Sequence, residues 1–134
     1  MDECFQIINS IRSLDDLRVR LRRIAKAWSL SKRQLFEINL IIEEICMNYI
    51  EHSECVANSS IGVHLSLGES VVSITITDKG PGFDPTKVSD SDVCLPMEQR
   101  KAGGLGLCLV KHFTDKISYV RVNDTNTLCI EKKI

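Results

Sequence analysis

The sequence predicts an α+β fold: a two-layer α/β sandwich in which a mixed sheet carries its helices on one face. Three observations predict it. Two stretches of the first half repeat apolar residues at helical spacing: Leu14, Leu17, Leu21, Ile24 and Trp28, then Leu35, Ile38, Ile41, Ile42, Ile45 and Tyr49. Two later stretches, Ile61 to Leu67 and Val71 to Thr77, alternate instead. One shorter helical run, Gly104 to about Thr114, then precedes a last pair of strand-like runs.

Taken in order, Cys4 to Ile8 reads as a short strand. Ser13 reads as a helix cap, with Asp15 and Asp16 in the first turn where the positive end of the helix favours them. Arg18, Arg20, Arg22 and Arg23 fall between that helix's apolar positions and read as a solvated face. Ser31 starts a second helix that runs to about His52. The alternating runs on either side of Gly68-Glu69-Ser70 read as an antiparallel hairpin. Residues 79–103 hold all three prolines and a high density of charge, and a polar loop this long in a compact domain is usually functional or mobile. Ile117 to Val122 and Leu128 to Lys132 read as a closing hairpin over Asn123 to Thr127. The order is β-αα-ββ-loop-α-ββ, and 134 residues suit one domain, 1–134.

Bulk properties narrow the function. A net charge of −1 gives no electrostatic case for nucleic acid or an anionic membrane. No apolar run has the length of a spanning helix, and Met1-Asp2-Glu3-Cys4 lacks the basic start of a signal peptide. The six cysteines show no Cys-x-x-Cys pairing and read as reduced thiols of a cytoplasmic protein.

Five of the seven glycines form two clusters, Asp78-Lys79-Gly80-Pro81-Gly82 and Gly103-Gly104-Leu105-Gly106-Leu107. Asp78 shares the apolar face of Val72, Ile74 and Ile76 by the two-residue period. It is therefore either a turn residue bending into solvent or a buried acceptor suited to the exocyclic amine of adenine. Glu44 and Asn48 lie four residues apart on one helix face, beside Ile41 and Ile45. They are either a solvated helix edge, the reading given to Glu43 and Glu51, or a working pair. In the second case the amide oxygen of Asn48 suits Mg²⁺ and the carboxylate of Glu44 suits proton acceptance from a hydroxyl. Gly103, Gly104, Leu105 and Gly106 at a helix start are either tight packing or a phosphate cradle of backbone N–H groups. The absence of Gly-Lys-Ser/Thr excludes a P-loop, and the long polar loop before the cluster argues against a dinucleotide fingerprint. Arg100 and Lys101 are either phosphate ligands or surface charges of the loop.

Together, Glu44-x-x-x-Asn48, Asp78-x-Gly80-x-Gly82 and Gly104-x-Gly106 resemble, in order and spacing, the N box and two glycine boxes of the GHKL (Bergerat-fold) ATPases. Within that superfamily the chain resembles the RsbW-like anti-sigma factor serine/threonine kinases. The resemblance implies ATP and Mg²⁺ as cofactors and residues 79–103 as a lid over the nucleotide. It implies Glu44 as general base, Asn48 as Mg²⁺ ligand, Asp78 as the adenine acceptor and Gly82 as a wall of the base pocket. It further implies phosphate binding by Gly104 and Gly106, and a hydroxyl near the adenine from Thr127. Ala102 and Gly103 stand where the family commonly carries an arginine, and Arg100 is the nearest. The implied partners are a STAS-domain anti-anti-sigma protein as substrate, a sequestered sigma factor and a second copy of the chain. Two other functions compete with this one: a non-catalytic ATP-binding partner-switch module, and the catalytic domain of a histidine kinase.

Overall fold

The computed structural model describes residues 1–8, 12–52, 60–79 and 104–134. The elements are β1 (Asp2–Ile8), α1 (Ser13–Ala27), α2 (Lys32–His52), β2 (Ser60–Leu67), β3 (Val71–Asp78), α3 (Gly104–Phe113), β4 (Lys116–Val122) and β5 (Thr125–Lys133). The strands form one sheet in the order β1-β2-β3-β5-β4.

Every pairing among these strands is antiparallel, which corrects the expected mixed sheet. Two helices, not one, separate β1 from β2, so β2 returns against β1. A single helix separates β3 from β4, the arrangement that normally gives parallel neighbours. Here β5 inserts between them and pairs antiparallel with both.

Alternation on the strands sets the core. Ile61, Val63 and Leu65 of β2, Val72, Ile74 and Ile76 of β3, and Leu128 and Ile130 of β5 are buried in one cluster with the apolar stripes of α1 and α2. Their chain neighbours His64, Thr75, Thr77 and Cys129 stand on the opposite face and keep contact with solvent. Against the buried face, α1 places Leu14, Leu17, Leu21 and Ile24, and α2 places Ile38, Ile41, Ile42 and Ile45. The Arg20 guanidinium lies 4.8 Å from the Phe5 ring centroid, joining α1 to β1.

The helix ends follow local chemistry, with one correction. Ser31 and Gln34 form a reciprocal capping box: Gln34 N–H donates to Ser31 Oγ at 3.1 Å, and Ser31 N–H to Gln34 Oε1 at 2.8 Å. Ser13, expected to cap α1, is instead its first residue; Arg12 occupies the cap position in helical conformation with no side-chain cap bond. Helix α1 ends in a Schellman motif. Leu30 N–H donates to Ala25 O at 2.9 Å and Ser29 N–H to Lys26 O at 3.3 Å, with Ser29 at φ 55°.

The last hairpin is tighter than expected. Asn123 at φ 51° and Asp124 at φ 62° form a two-residue turn with both centres left-handed, as a type I′ turn requires. Strand β5 therefore begins at Thr125, three residues before the Leu128 expected from the sequence.

Candidate nucleotide site

Helix α2 carries two of the expected residues. Asn48 is buried and Glu44, one turn before it, is half-buried. Both therefore lie against the body of the protein and not on a solvated edge. Glu43 is also no solvated edge residue, which corrects its sequence reading. Its carboxylate accepts from Arg18 Nε of α1 at 3.0 Å and from the Asn39 amide one turn away. This pairing links α2 to α1, while the buried Ile38, Ile41, Ile42 and Ile45 set which face of α2 turns inward. Arg18 is thereby taken from the free arginine face of α1. Its charge is held more firmly by the hydrogen bond and the charge of Glu43.

Asp78 closes β3 on the buried side, 6% exposed. That rules out a turn residue bending into solvent, because the side chain lies on the face of the sheet that carries the helices. Its Oδ1 is buried, and a carboxylate oxygen in that position suits an amine brought by a ligand. Helix α3 begins at Gly104 and packs against α2. Its first turn, Gly104-Leu105-Gly106, presents the backbone N–H groups that an α-helix leaves without intrahelical partners, and it carries no acidic residue to oppose an anion. Gly80, Gly82, Arg100, Lys101 and Gly103, and the expected lid apart from Lys79, lie outside the described residues.

Thr127 departs from expectation. It pairs with Thr77, one residue out of phase with Asp78, so its side chain stands on the other face of the sheet. The residue directly across from Asp78 is Asn126, which is fully buried. Asn126 Oδ1 accepts from Arg121 Nη1 at 2.8 Å and from the Tyr119 hydroxyl, both on β4. Starting the strand at Leu128 concealed this residue. Extending the period of Leu128, Ile130 and Lys132 back by two positions would have found it.

The far end of α3 is fixed as well. Lys132 Nζ donates to Phe113 O at 2.9 Å and lies over the Phe113 ring. The Cys46 thiol, on α2 between Glu44 and Asn48, is pushed up to about 12 by burial, with the charge of Glu43 adding to the effect. It packs as a small hydrophobe and does not act as a nucleophile. Among the described residues no group of three or more His, Cys, Asp or Glu is placed to hold a metal ion. A Mg²⁺ held by one amide oxygen and by phosphates requires no such group.

A helical layer on an antiparallel sheet, with a carboxylate–amide pair on one helix, a glycine-opened helix packed on that helix and a buried aspartate closing a strand, is the arrangement of an ATPase domain of the histidine kinase type. The model of the histidine kinase-like ATPase domain family matches residues 8–132, and the chain belongs to that family. It is 30% identical over 112 residues to the serine/threonine-protein kinase BtrW of Bordetella bronchiseptica, covering 82% of this chain and 78% of that protein. It is 28% identical over 105 residues to the serine-protein kinase RsbW of Halalkalibacterium halodurans, covering 75% of this chain but only 64% of that kinase. Among solved structures, the RsbU and RsbW domains of a Mycobacterium tuberculosis protein superpose with a TM-score of 0.70 at 14% identity, over 98% of this chain and 32% of that one. The SiaB–SiaC complex of Pseudomonas aeruginosa gives 0.65 at 12% identity, over 98% of this chain and 89% of the matched one. At these identities the two structures speak for the fold alone.

Proposed function

We propose that this chain is an ATP-dependent protein serine/threonine kinase of a bacterial partner-switching system. Its substrate is a serine or threonine of a STAS-domain anti-anti-sigma protein, and in its other state it holds a sigma factor. It works in the cytoplasm as a homodimer. The observation that carries the kinase reading is the pair on α2. Asn48 is buried and Glu44 half-buried, one turn apart and on the helix that packs against the glycine-opened α3. A module that only binds ATP has use for Asn48 and the glycines, but none for a carboxylate beside them. The kinase names of the relatives in Bordetella and Halalkalibacterium support the same reading.

Each residue then has a task. Asp78 accepts from the amino group of the base, and Gly104 to Gly106 receive phosphate oxygens on backbone N–H groups at the positive end of α3. The amide oxygen of Asn48 would hold the Mg²⁺. ATP brings the phosphoryl group, and Mg²⁺ brings charge that offsets it. Glu44 takes the proton of the attacking hydroxyl as its oxygen bonds to the γ-phosphorus and the bridge to ADP breaks. Such transfer depends on positioning and charge neutralisation more than on covalent work by the protein.

The test is to incubate the purified protein with γ-labelled ATP, Mg²⁺ and STAS-domain proteins of the same cell. Label on a serine or threonine of one of them is expected. Retention of all label in ATP, with the partner bound in an ATP-dependent complex, would establish the non-catalytic module instead.

A further inference from the structure

Asn126 is fully buried in the inward row of β5, followed at two-residue intervals by Leu128 and Ile130. An apolar side chain would fill that row without the cost of desolvating an amide. The amide is also oriented. A guanidinium only donates, so the Asn126 atom 2.8 Å from Arg121 Nη1 is the carboxamide oxygen, and the Tyr119 hydroxyl meets the same atom. Both donors sit on β4, on one side of β5. The Nδ2 end of the carboxamide is therefore directed away from β4. The other neighbour of β5 is β3, where Asp78 is the residue in direct register with Asn126. Directly opposed residues of an antiparallel pair bring their Cβ atoms to about 4.5–5.5 Å, within reach of two short polar side chains.

We propose that Asn126 is a positioning residue for nucleotide-base recognition: its carboxamide, locked by Tyr119 and Arg121, sets the Asp78 carboxylate to accept from the 6-amino group of a purine. This rests on the assignment of Asp78 to the base. It adds to that assignment a row of side chains, Arg121 and Tyr119 to Asn126 to Asp78, that crosses three strands and makes base selectivity depend on the edge strand β4. An acceptor that is free to turn can meet the oxo group of another purine through solvent. A fixed one rejects it, because the site is left with an unmatched buried group.

The test measures the dissociation constants of ATP and of inosine triphosphate, which carries oxygen in place of the 6-amino group, for the full chain and three variants. The native chain is expected to prefer ATP by about ten-fold or more, the scale of one hydrogen bond to a charged group. Asp78→Asn should abolish the preference. Asn126→Leu and Tyr119→Phe should each narrow it several-fold, while inosine triphosphate binding stays within about two-fold of native. Tyr119→Phe removes one hydroxyl from a half-buried ring and keeps the test open if Asn126→Leu does not fold. An unchanged preference in both variants, with Asp78→Asn abolishing it, overturns the role of Asn126 and leaves the base site standing. Equal weakening of both nucleotides reduces Asn126 to a structural residue. A preference that survives Asp78→Asn overturns the base site, and this inference with it.

Discussion

Lys132 Nζ of β5 lies 2.7 Å from Glu37 Oε2 of α2, and both side chains are almost wholly buried. The same ammonium reaches the last carbonyl of α3, and Arg33 Nε donates to the other oxygen of Glu37 at 3.0 Å. One ion pair thus ties the helix that carries Glu44 and Asn48 to the end of the glycine-opened helix α3. Among the described residues, removing Lys132 leaves the buried Glu37 carboxylate only the exposed Arg33 as its counter-charge. Lys132→Met is expected to cost about 1–3 kcal/mol, and adding Glu37→Leu should recover a large part of it. Urea denaturation of the two variants decides this; equal losses in the single and double variants contradict the pairing.

The same pair makes stability depend on pH. The hydrogen bond from Lys132 holds the Glu37 carboxyl below its ordinary 4.5, against the opposing effect of burial and with help from Arg33. A folded value below the unfolded one means that the contribution is complete above the unfolded value and fades as pH falls through the folded one. The native chain should therefore lose melting temperature below pH 4.5 more steeply than Glu37→Gln does. Parallel melting curves across that range refute the linkage.

Ser29 holds a left-handed backbone at φ 55° to complete the Schellman turn after α1. Glycine adopts that conformation without the steric cost of a Cβ. Ser29→Gly should raise stability by about 0.5–1 kcal/mol, read as a higher melting temperature with unchanged ATP affinity. A lower melting temperature would show that the serine side chain contributes more than its backbone strain costs.

Gly62 of β2 lies opposite Thr77 of β3, and a Cβ at Gly62 would stand 2.5 Å from Thr77 Oγ1. Threonine has few χ1 states into which it can turn, so Gly62→Ala should destabilise by about 1 kcal/mol. In a Thr77→Ala background the same change should be neutral or favourable, since glycine inside a strand carries an entropic cost. A thermal-melt double-mutant cycle with no coupling between the two sites would contradict the close approach.

Much of this was readable in the chain because it is local. The two-residue period from Val72 placed Asp78 on the buried face, and the helical spacing of Ile41 and Ile45 placed Glu44 and Asn48 beside the core. Ser31 and Gln34 mark a helix start within four residues of sequence. What stayed hidden depends on partners far along the chain. Arg18 and Glu43 are 25 residues apart, and no charge pattern joins them. Glu37 reads as one more surface carboxylate until β5 brings Lys132 to it. The insertion of β5 between β3 and β4 is a choice of neighbour, which hydrophobic alternation does not encode. Asn126 was missed for a smaller reason. Two left-handed residues close the last hairpin in the space where a longer loop was expected, and that moves Asn126 from the loop into the strand opposite Asp78.

The central claim is that Glu44 makes this nucleotide-binding domain a kinase. The direct measurement compares the native chain with Glu44→Ala for ATP affinity and for the rate of phosphoryl transfer to the proposed STAS-domain substrate. Loss of a general base predicts transfer slowed by about 10²- to 10⁴-fold, with ATP affinity held within a few-fold. Transfer at the native rate in Glu44→Ala would contradict the account.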